Sequence, residues 1–234
     1  MQQALDTVQC SGWHKMRRDQ QACGRIQIYH RKFIPDYLYP EGIKARNLEV
    51  ERKPWTHLAC PSNLTFDTKE AILEDVIIVY AHGICYGEDR SDIPESDRKI
   101  AGTFFSTMSP RNKFLSLTQP DMTKDKAELL AGLQSLRCVS QVLDEGEIQL
   151  RFVIIKSDSS YLCHRMTSEV VIPRHERANL DYGDVITQMD DQVQLLKGKG
   201  VEVLWWPVSR EENKKAIEMT DWSMEAADNG GVAL

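Results

Sequence analysis

The hydrophobic pattern of the chain becomes regular only after about residue 70. The preceding residues are rich in Pro, Trp and Tyr without sustained periodicity, which predicts an irregular segment packed on a main domain. The run DVIIVYA, residues 75–81, is continuously apolar and β-branched, as expected of a central strand covered on both faces. KIAGTFFST and NKFLSLT, separated by a turn at Pro110, are two further strand candidates. Three strands at short spacing predict an antiparallel meander.

The second half of the chain alternates helical and strand patterns. DMTKDKAELLAGLQSLRCVSQ carries a stripe of Leu129, Leu133 and Leu136, which predicts an amphipathic helix beginning at Asp121 or Thr123. The elements predicted after it are a strand at RFVIIKS, a short helix at DSSYLCHRMT, a helix at DYGDVITQMDDQVQLLKGKG, a strand at VEVLWWPV and a helix at REENKKAIEMTDW. This order predicts an α/β sheet with an antiparallel edge.

The change of pattern also suggests domain limits. We predict an irregular N-terminal extension over residues 1–70, a main domain over 71–226 and a flexible tail over 227–234. With 234 residues, 41% of them hydrophobic, the chain can bury one sizeable core.

The composition limits the cellular compartments and the kinds of partner that we expect for this protein. The longest apolar run, VIIVYA, is far shorter than a bilayer requires, and the N-terminus has no apolar signal core. Six scattered cysteines without a CxxC pair favour reduced thiols. We therefore expect a soluble intracellular protein without a membrane partner, in the nucleus or the cytoplasm.

The charge is unevenly distributed. A net charge of -6 argues against indiscriminate binding of polyanions. Residues 13–33 nevertheless hold six basic side chains and one acid: Lys15, Arg17, Arg18, Arg25, Arg31 and Lys32 against Asp19. A solvated basic face and a phosphate-contacting arm are both consistent with this segment.

Four motifs occur in order along the main domain: VYAHGICYG, KAELLAGLQSL, SDSSYLCHRMT and VSREENKKAIEM. With their spacing, the chain resembles ribonuclease H of type 1 over about residues 74–222, and it is similar in particular to divergent fungal RNase H-like proteins. The resemblance implies an RNase H-like fold: an α/β domain with a five-stranded mixed sheet, three antiparallel strands and then two parallel ones, flanked by helices.

The resemblance also implies a chemistry. The family cleaves the RNA strand of an RNA/DNA hybrid with two divalent metals, Mg²⁺ or Mn²⁺, held by four carboxylates. Carried over by motif, the four positions are His82, Glu128, Asp158 and Ile217. Two of the four carboxylates are thus replaced in this chain.

The two replacements differ in kind. The imidazole of His82 offers one lone pair and no negative charge, and Ile217 offers no ligand. Glu128 and Asp158 remain as a pair able to hold one weakly bound, hydrated metal. His82, Glu128 and Asp158 also have structural interpretations. They could be a hydrogen-bonded histidine, a helix-edge glutamate and an aspartate that caps the next helix.

The substrate-reading positions depart from the family as well. Where the family offers asparagines before the first helix, this chain has Lys124 and Asp125, which favours phosphate contact over base reading. The turn HGICYG keeps Gly83, Cys85 and Gly87, which permits close approach of a sugar.

These observations leave three hypotheses. The first is a degenerate RNase H-like domain that binds RNA/DNA hybrid or another nucleic acid, with lost or strongly weakened endonuclease activity. The second is an active RNA–DNA hybrid ribonuclease that recruits a loop acid, Glu88 or Asp89. The third is a protein-interaction module on a pseudo-nuclease scaffold.

Overall fold

The computed structural model describes residues 31–60, 72–85, 102–107, 109–115, 122–168, 174–177 and 179–228. The predicted boundary near residue 70, most of the basic segment and residues 229–234 of the predicted tail lie outside this part of the chain.

Six strands and five helices are found in the described residues. The strands are β1 (Glu49–Arg52), β2 (Trp55–Ala59), β3 (Ile72–Ala81), β4 (Thr103–Phe104), β5 (Phe152–Ser157) and β6 (Glu202–Pro207). The helices are α1 (Lys124–Asp144), α2 (Ser160–Ser168), α3 (Arg174–Arg177), α4 (Gly183–Gly198) and α5 (Lys214–Asp228). Every helix and strand predicted after residue 120 is present, and α3 is an additional short helix.

The strands form one mixed sheet in the order β1-β2-β3-β5-β6, with the two-residue β4 also paired to β3. The strands β1, β2 and β3 are antiparallel, whereas β3, β5 and β6 are parallel. The predicted α/β class and its five-stranded sheet, three antiparallel strands and then two parallel ones, are confirmed. This is the strand arrangement that the resemblance implied.

The origin of the antiparallel strands differs from the prediction. The strand β2 pairs with β3 from Ile72 to Ile78, which leaves only Tyr80 and Ala81 for β4. Among the described residues, the predicted meander after β3 is represented by β4 and a bridge between Thr103 and Lys113.

The prediction that the chain before residue 70 is irregular is wrong for residues 49–59, which form β1 and β2. Strands of four and five residues, one of them charged at three of its four positions, are too short to show a period of their own. They are stabilised by pairing in the sheet, β1 with β2 and β2 with β3.

The two faces of the sheet carry separate cores. One face, with Ile77, Ile155 and Trp205, packs against α1 and α4. The other, with Ile78, Ile154 and Trp206, packs against the N-terminal segment and the start of α5. The N-terminal segment thus completes the second core.

Trp205 and Trp206 illustrate this division. Trp205 is wholly buried in the first core, and Trp206, 4% exposed, packs edge to face on Phe33 with ring centroids 5.1 Å apart. Such aromatic pairs stabilise a fold by about 1 kcal/mol beyond their burial.

The first helix begins where the sequence predicted. Thr123 has extended backbone, and its Oγ1 accepts a hydrogen bond from the Lys126 amide at 3.2 Å. This N-cap satisfies one of the amide groups that a helix start leaves without a partner. The cap fixes the register that places Glu128 in the second turn.

Two predictions about compartment can be compared with the described residues. None of their helices combines the length and the apolar character needed to cross a bilayer. The cysteines among them, Cys60, Cys85, Cys138 and Cys163, are free thiols.

Candidate functional site

Polar side chains meet where β3 and β5 end. His82 directly follows β3, and Asp158 directly follows β5. Because β3 and β5 are parallel neighbours, their carboxyl ends lie at the same edge of the sheet, where α/β proteins commonly place their sites. Helix α1 brings Glu128 to the same place. We call His82, Glu128, Asp158 and the neighbouring Asn213 the strand-end cluster.

His82 and Asp158 form a direct hydrogen bond. The imidazole Nδ1 lies 3.0 Å from Asp158 Oδ1. Because an ionised carboxylate only accepts, Nδ1 carries the proton and donates. Burial alone would raise the pKa of Asp158, but hydrogen bonds from His82 and Asn213 hold it below its usual value. Asp158 is therefore an ionised acceptor with both neighbours bound to Oδ1.

Glu128 lies deeper in the cluster. Its Oε2 accepts a hydrogen bond from the Gly83 amide at 3.0 Å, and its Oε1 lies 3.9 Å from His82 Nδ1. The side chain is 2% exposed. Burial raises the pKa of Glu128 to about 7, although His82 and the Gly83 amide oppose that rise. Near neutral pH this carboxyl group therefore exists in both protonation states.

Asn213 is the member of the cluster that the sequence did not reveal. Its Nδ2 donates to Asp158 Oδ1 at 2.6 Å and to the carbonyl oxygen of Ala81 at 3.3 Å. It lies one helical turn before Ile217, whose amide donates to the Asn213 carbonyl at 3.3 Å. The available signal was this four-residue spacing, which puts Asn213 and Ile217 on one side of the turn. Ile217 itself is buried, at 9% exposure.

Two polar atoms of the strand-end cluster have no hydrogen-bond partner among the described residues. They are His82 Nε2 and Asn213 Oδ1, both fully buried. At the outer edge of the cluster, the exposed guanidinium of Arg210 lies 3.8 Å from Asp158 Oδ2. The inner side of the cluster is thus shielded from solvent, and its rim carries the positive charge of Arg210.

The thiol of Cys163 is not a candidate nucleophile for this site. Burial, with a smaller contribution from the charge of Glu128, raises the pKa of Cys163 to about 12. A thiol with such a pKa stays protonated at neutral pH and is a poor nucleophile.

The donor atoms do not fit a pair of divalent metals. Glu128 is buried and bonded to the Gly83 amide, Asp158 Oδ1 already accepts two hydrogen bonds, and Ile217 has no donor atom. Two hard cations require several anionic oxygens with open coordination sites. Within the described residues, no group of three or more His, Cys, Asp or Glu side chains is placed to hold a metal.

The predicted substrate-reading residues have different surroundings. A Cβ on Gly83 would lie 2.3 Å from the Ala127 carbonyl carbon and 2.4 Å from the Glu128 nitrogen, so the glycine permits contact with α1. Cys85 Sγ donates to the Met122 carbonyl oxygen at 3.4 Å. Both residues thus pack at the start of α1, and their role as substrate-binding residues stays a prediction.

Lys124 and Asp125 lie in the first turn of α1 and are exposed. They are on the surface, where a phosphate group could reach them. Their role as substrate-binding residues stays a prediction.

Other predictions concern residues beyond the described part. Gly87 of the glycine turn, the possible rescue acids Glu88 and Asp89, and most of the basic segment lie there. The alternative role of Asp158 as a helix cap is taken by its neighbour, because Ser159 Oγ accepts from the Leu162 amide at 3.1 Å.

Comparison with known proteins gave structural similarity only. No family model matches the chain, and no curated protein matches it. Among solved structures, the chain is similar to LC11-RNase H1 in complex with RNA/DNA hybrid, with 14% identity and a TM-score of 0.43, over 64% of this chain and 97% of that one.

Two further structures are similar to the chain. RNase H1 from the halophilic archaeon Halobacterium salinarum has 15% identity and a TM-score of 0.41, over 64% of this chain and 98% of that one. LC9-RNase H1, a type 1 RNase H with the type 2 active-site motif, has 19% identity and a TM-score of 0.41, over 70% of this chain and 80% of that one.

Proposed function

We propose that this chain is a degenerate RNase H-like domain that binds nucleic acid, foremost an RNA/DNA hybrid, without efficient metal-dependent cleavage. The observation that carries the proposal is the hydrogen bond between His82 Nδ1 and Asp158 Oδ1 at 3.0 Å. It engages one of the two remaining carboxylates with a side chain of the protein itself.

The balance of charge supports loss of the two-metal chemistry. Two divalent cations bring four positive charges, whereas Glu128 and Asp158 supply at most two negative ones. The pKa of Glu128, raised to about 7 by burial, reduces that supply further near neutral pH. If Mg²⁺ or Mn²⁺ binds at all, we propose a single weakly held ion at Glu128 and Asp158.

The surroundings of the cluster support nucleic-acid binding. Lys124 and Arg210, at the start of α1 and before α5, are exposed cations near the two carboxylates. Phosphate groups are the natural partners of such cations at the rim of a site. Together with the four motifs, they favour a polyanion as the ligand.

Two assays on the same protein test the proposal. Labelled RNA/DNA hybrid is incubated with the wild type and a Glu128→Gln control, with Mg²⁺ and separately with Mn²⁺. Gel shifts with the same hybrid are run over a series of salt concentrations. We expect no product above the control, together with a shift that weakens as salt rises.

The alternatives are outcomes of these assays. Product above the Glu128→Gln control would identify an active hybrid ribonuclease with a recruited acid. Absence of any salt-dependent shift would instead favour the protein-interaction module. Among the described residues, the large apolar side chains that are exposed are Leu195 on α4 and Trp222 on α5, which belong to separate helices.

Two further parts of the proposal rest on sequence. We propose an intracellular address, in the nucleus or the cytoplasm, supported by the free thiols of Cys60, Cys85, Cys138 and Cys163. The similarity to divergent fungal RNase H-like proteins stays a prediction from the motifs.

A further inference from the structure

A second polar feature lies beside the strand-end cluster. The turn from Ser209 to Asn213 and the start of α5 face a short 3-10 helix, Ala45–Asn47, of the N-terminal segment. Between them is a cleft of about 580 Å³. Its lining residues are Lys44, Arg46, Glu49, Ser209, Glu211, Glu212, Lys214 and Lys215. We call it the α5 cleft.

Two of the three acids that line the α5 cleft are bound to other groups. Glu49 forms an ion pair with the buried Lys156, and its Oε2 accepts a hydrogen bond from the Tyr80 hydroxyl at 2.8 Å. Glu212 accepts from the Ala45 amide and from the amide and hydroxyl of Ser209, each at 3.3 Å. Both carboxylates thus hold the walls of the cleft together.

The cations of the α5 cleft are less engaged. Lys214 pairs with Glu218 at 3.2 Å and Lys215 with Glu51 at 2.9 Å, both on the exposed surface of the helix start. Lys44 and Arg46 are exposed, and no ion pair involves either of them among the described residues. Glu211 is the acid of the lining that opposes them.

The turn before α5 lies between the α5 cleft and the strand-end cluster. Ser209 lines the cleft, and Asn213, four residues later, donates to Asp158. Four residues span at most about 14 Å even when fully extended. Arg210, between them, reaches toward Asp158 Oδ2. Glu212, two residues after Arg210, accepts from the amide of Ala45, which lies between Lys44 and Arg46 in the chain, so this turn joins the three cations.

We infer that the α5 cleft binds the sugar-phosphate backbone of the nucleic acid as it leaves the strand-end cluster, through Lys44 and Arg46. The inference rests on the proposed function and assigns part of the binding to the N-terminal segment. Lys44 and Arg46 are two positions apart in the chain and carry two positive charges. These charges suit a chain of phosphate groups better than an apolar or cationic ligand.

Charge changes in opposite directions test this inference. The weakening variant is Lys44→Glu with Arg46→Glu, and Lys44→Gln with Arg46→Gln is a milder form. The strengthening variant is Glu211→Gln. The matched control is Arg137→Glu with Lys197→Glu, which changes the net charge equally but lies on helices α1 and α4, across the sheet.

Binding of labelled RNA/DNA hybrid is measured by fluorescence anisotropy from 50 to 300 mM salt, after circular dichroism has shown that each variant is folded. We expect the Glu variant to bind about tenfold more weakly and to lose up to about two units of salt slope. Glu211→Gln should bind more tightly, which simple destabilisation cannot produce. The control should follow the wild type.

Any other result contradicts either the cleft inference or the proposed function, and the two can be told apart. If the wild type binds but the cleft variants match the control, the cleft inference fails and the proposed function stands. If the wild type does not bind at any salt, both fail. If polyglutamate of equal charge competes as well as hybrid, the α5 cleft accepts an acidic protein segment, and the nucleic-acid assignment is overturned.

Discussion

His82 and Asp158 are joined by a hydrogen bond of 3.0 Å between the ends of two neighbouring parallel strands. The imidazole stands where the resemblance implies a metal-binding carboxylate. It donates a hydrogen bond to Asp158, the carboxylate with which such a residue would share the metal. An internal hydrogen-bond donor of this kind can satisfy Asp158 without a metal. The predictions below concern this pair and the groups that hold it.

Carboxylates placed at both positions where the resemblance implies them should create a need for metal. In His82→Asp with Ile217→Asp, four acids crowd one edge of the sheet, and we expect a loss of about 3–5 kcal/mol of stability in EDTA. Mg²⁺ or Mn²⁺ should raise the melting temperature of this variant and leave the wild type unchanged. Differential scanning fluorimetry measures both effects.

Hybrid cleavage completes this test. Cleavage by the double variant alone would show that the scaffold is intact and that chemistry was lost at these two positions. A variant that neither cleaves nor responds to metal would show that the cleft has changed at further positions.

Asn213 should stabilise the strand-end cluster through Asp158. Asn213→Ala removes the donors to Asp158 Oδ1 and the Ala81 carbonyl, and we expect it to cost about 1–3 kcal/mol. Asn213→Asp should cost more, because it places a second carboxylate against Asp158. Urea unfolding gives the two free energies, and equal effects would contradict the electrostatic argument.

Gly83 should tolerate no side chain. In Gly83→Ala the new Cβ meets the Ala127 and Glu128 backbone at 2.3 Å and 2.4 Å, so α1 must move away from β3. We expect a loss of about 3 kcal/mol or more. Gly198→Ala is the matched control, since nothing lies within 4 Å of its Cβ. That control should be neutral or slightly stabilising, by up to about 1 kcal/mol.

Glu128 should make the protein less stable as pH rises. Its pKa is about 7 in the folded chain against 4.5 in the unfolded one, so the folded state holds the proton more tightly. The resulting stabilisation is complete below pH 4.5 and is lost as pH rises through 7, up to about 3 kcal/mol.

Comparison with Glu128→Gln isolates this contribution. The difference in unfolding free energy between wild type and variant should change with pH over this interval and be level above it. A difference that is independent of pH from 4 to 8 would show that Glu128 titrates as an exposed glutamate.

The buried pair of Lys156 and Glu49 should link the N-terminal segment to the strand-end cluster. Lys156, 1% exposed, also donates to the Glu212 carbonyl at 2.5 Å, next to Asn213. Lys156→Met leaves the Glu49 carboxylate, 6% exposed, without its cationic partner, and we expect it to cost about 3–5 kcal/mol. Adding Glu49→Gln should recover part of this loss, which a double-mutant cycle in urea measures.

The elements of the main domain could be predicted because their patterns are local. The stripe of Leu129, Leu133 and Leu136 and the run at residues 75–81 have periods that belong to the chain itself. Of the strands predicted at 99–107 and 112–118, the described residues contain β4 and a bridge at Lys113, because β2 competes for the same edge of β3 and pairs with most of it. No pattern within those segments reports that competition.

The candidate site divides in the same way. Its positions His82, Glu128 and Asp158 were predicted from the resemblance, motif by motif, and the structure brings these three together. Gly83 was expected near a sugar, whereas its Cβ position is filled by the backbone of α1. Only the distance between β3 and α1 distinguishes these two roles.

The sequence by itself determined the order of the elements after residue 120 and the fold class, because both depend on residue types at short spacing. The tertiary structure decided which distant groups become partners in and around the strand-end cluster. Asn213 and Asp158 are 55 residues apart, and Lys156 and Glu49 are 107 apart. Such contacts arise only when the sheet is assembled, because they depend on which strand ends and helix starts share an edge.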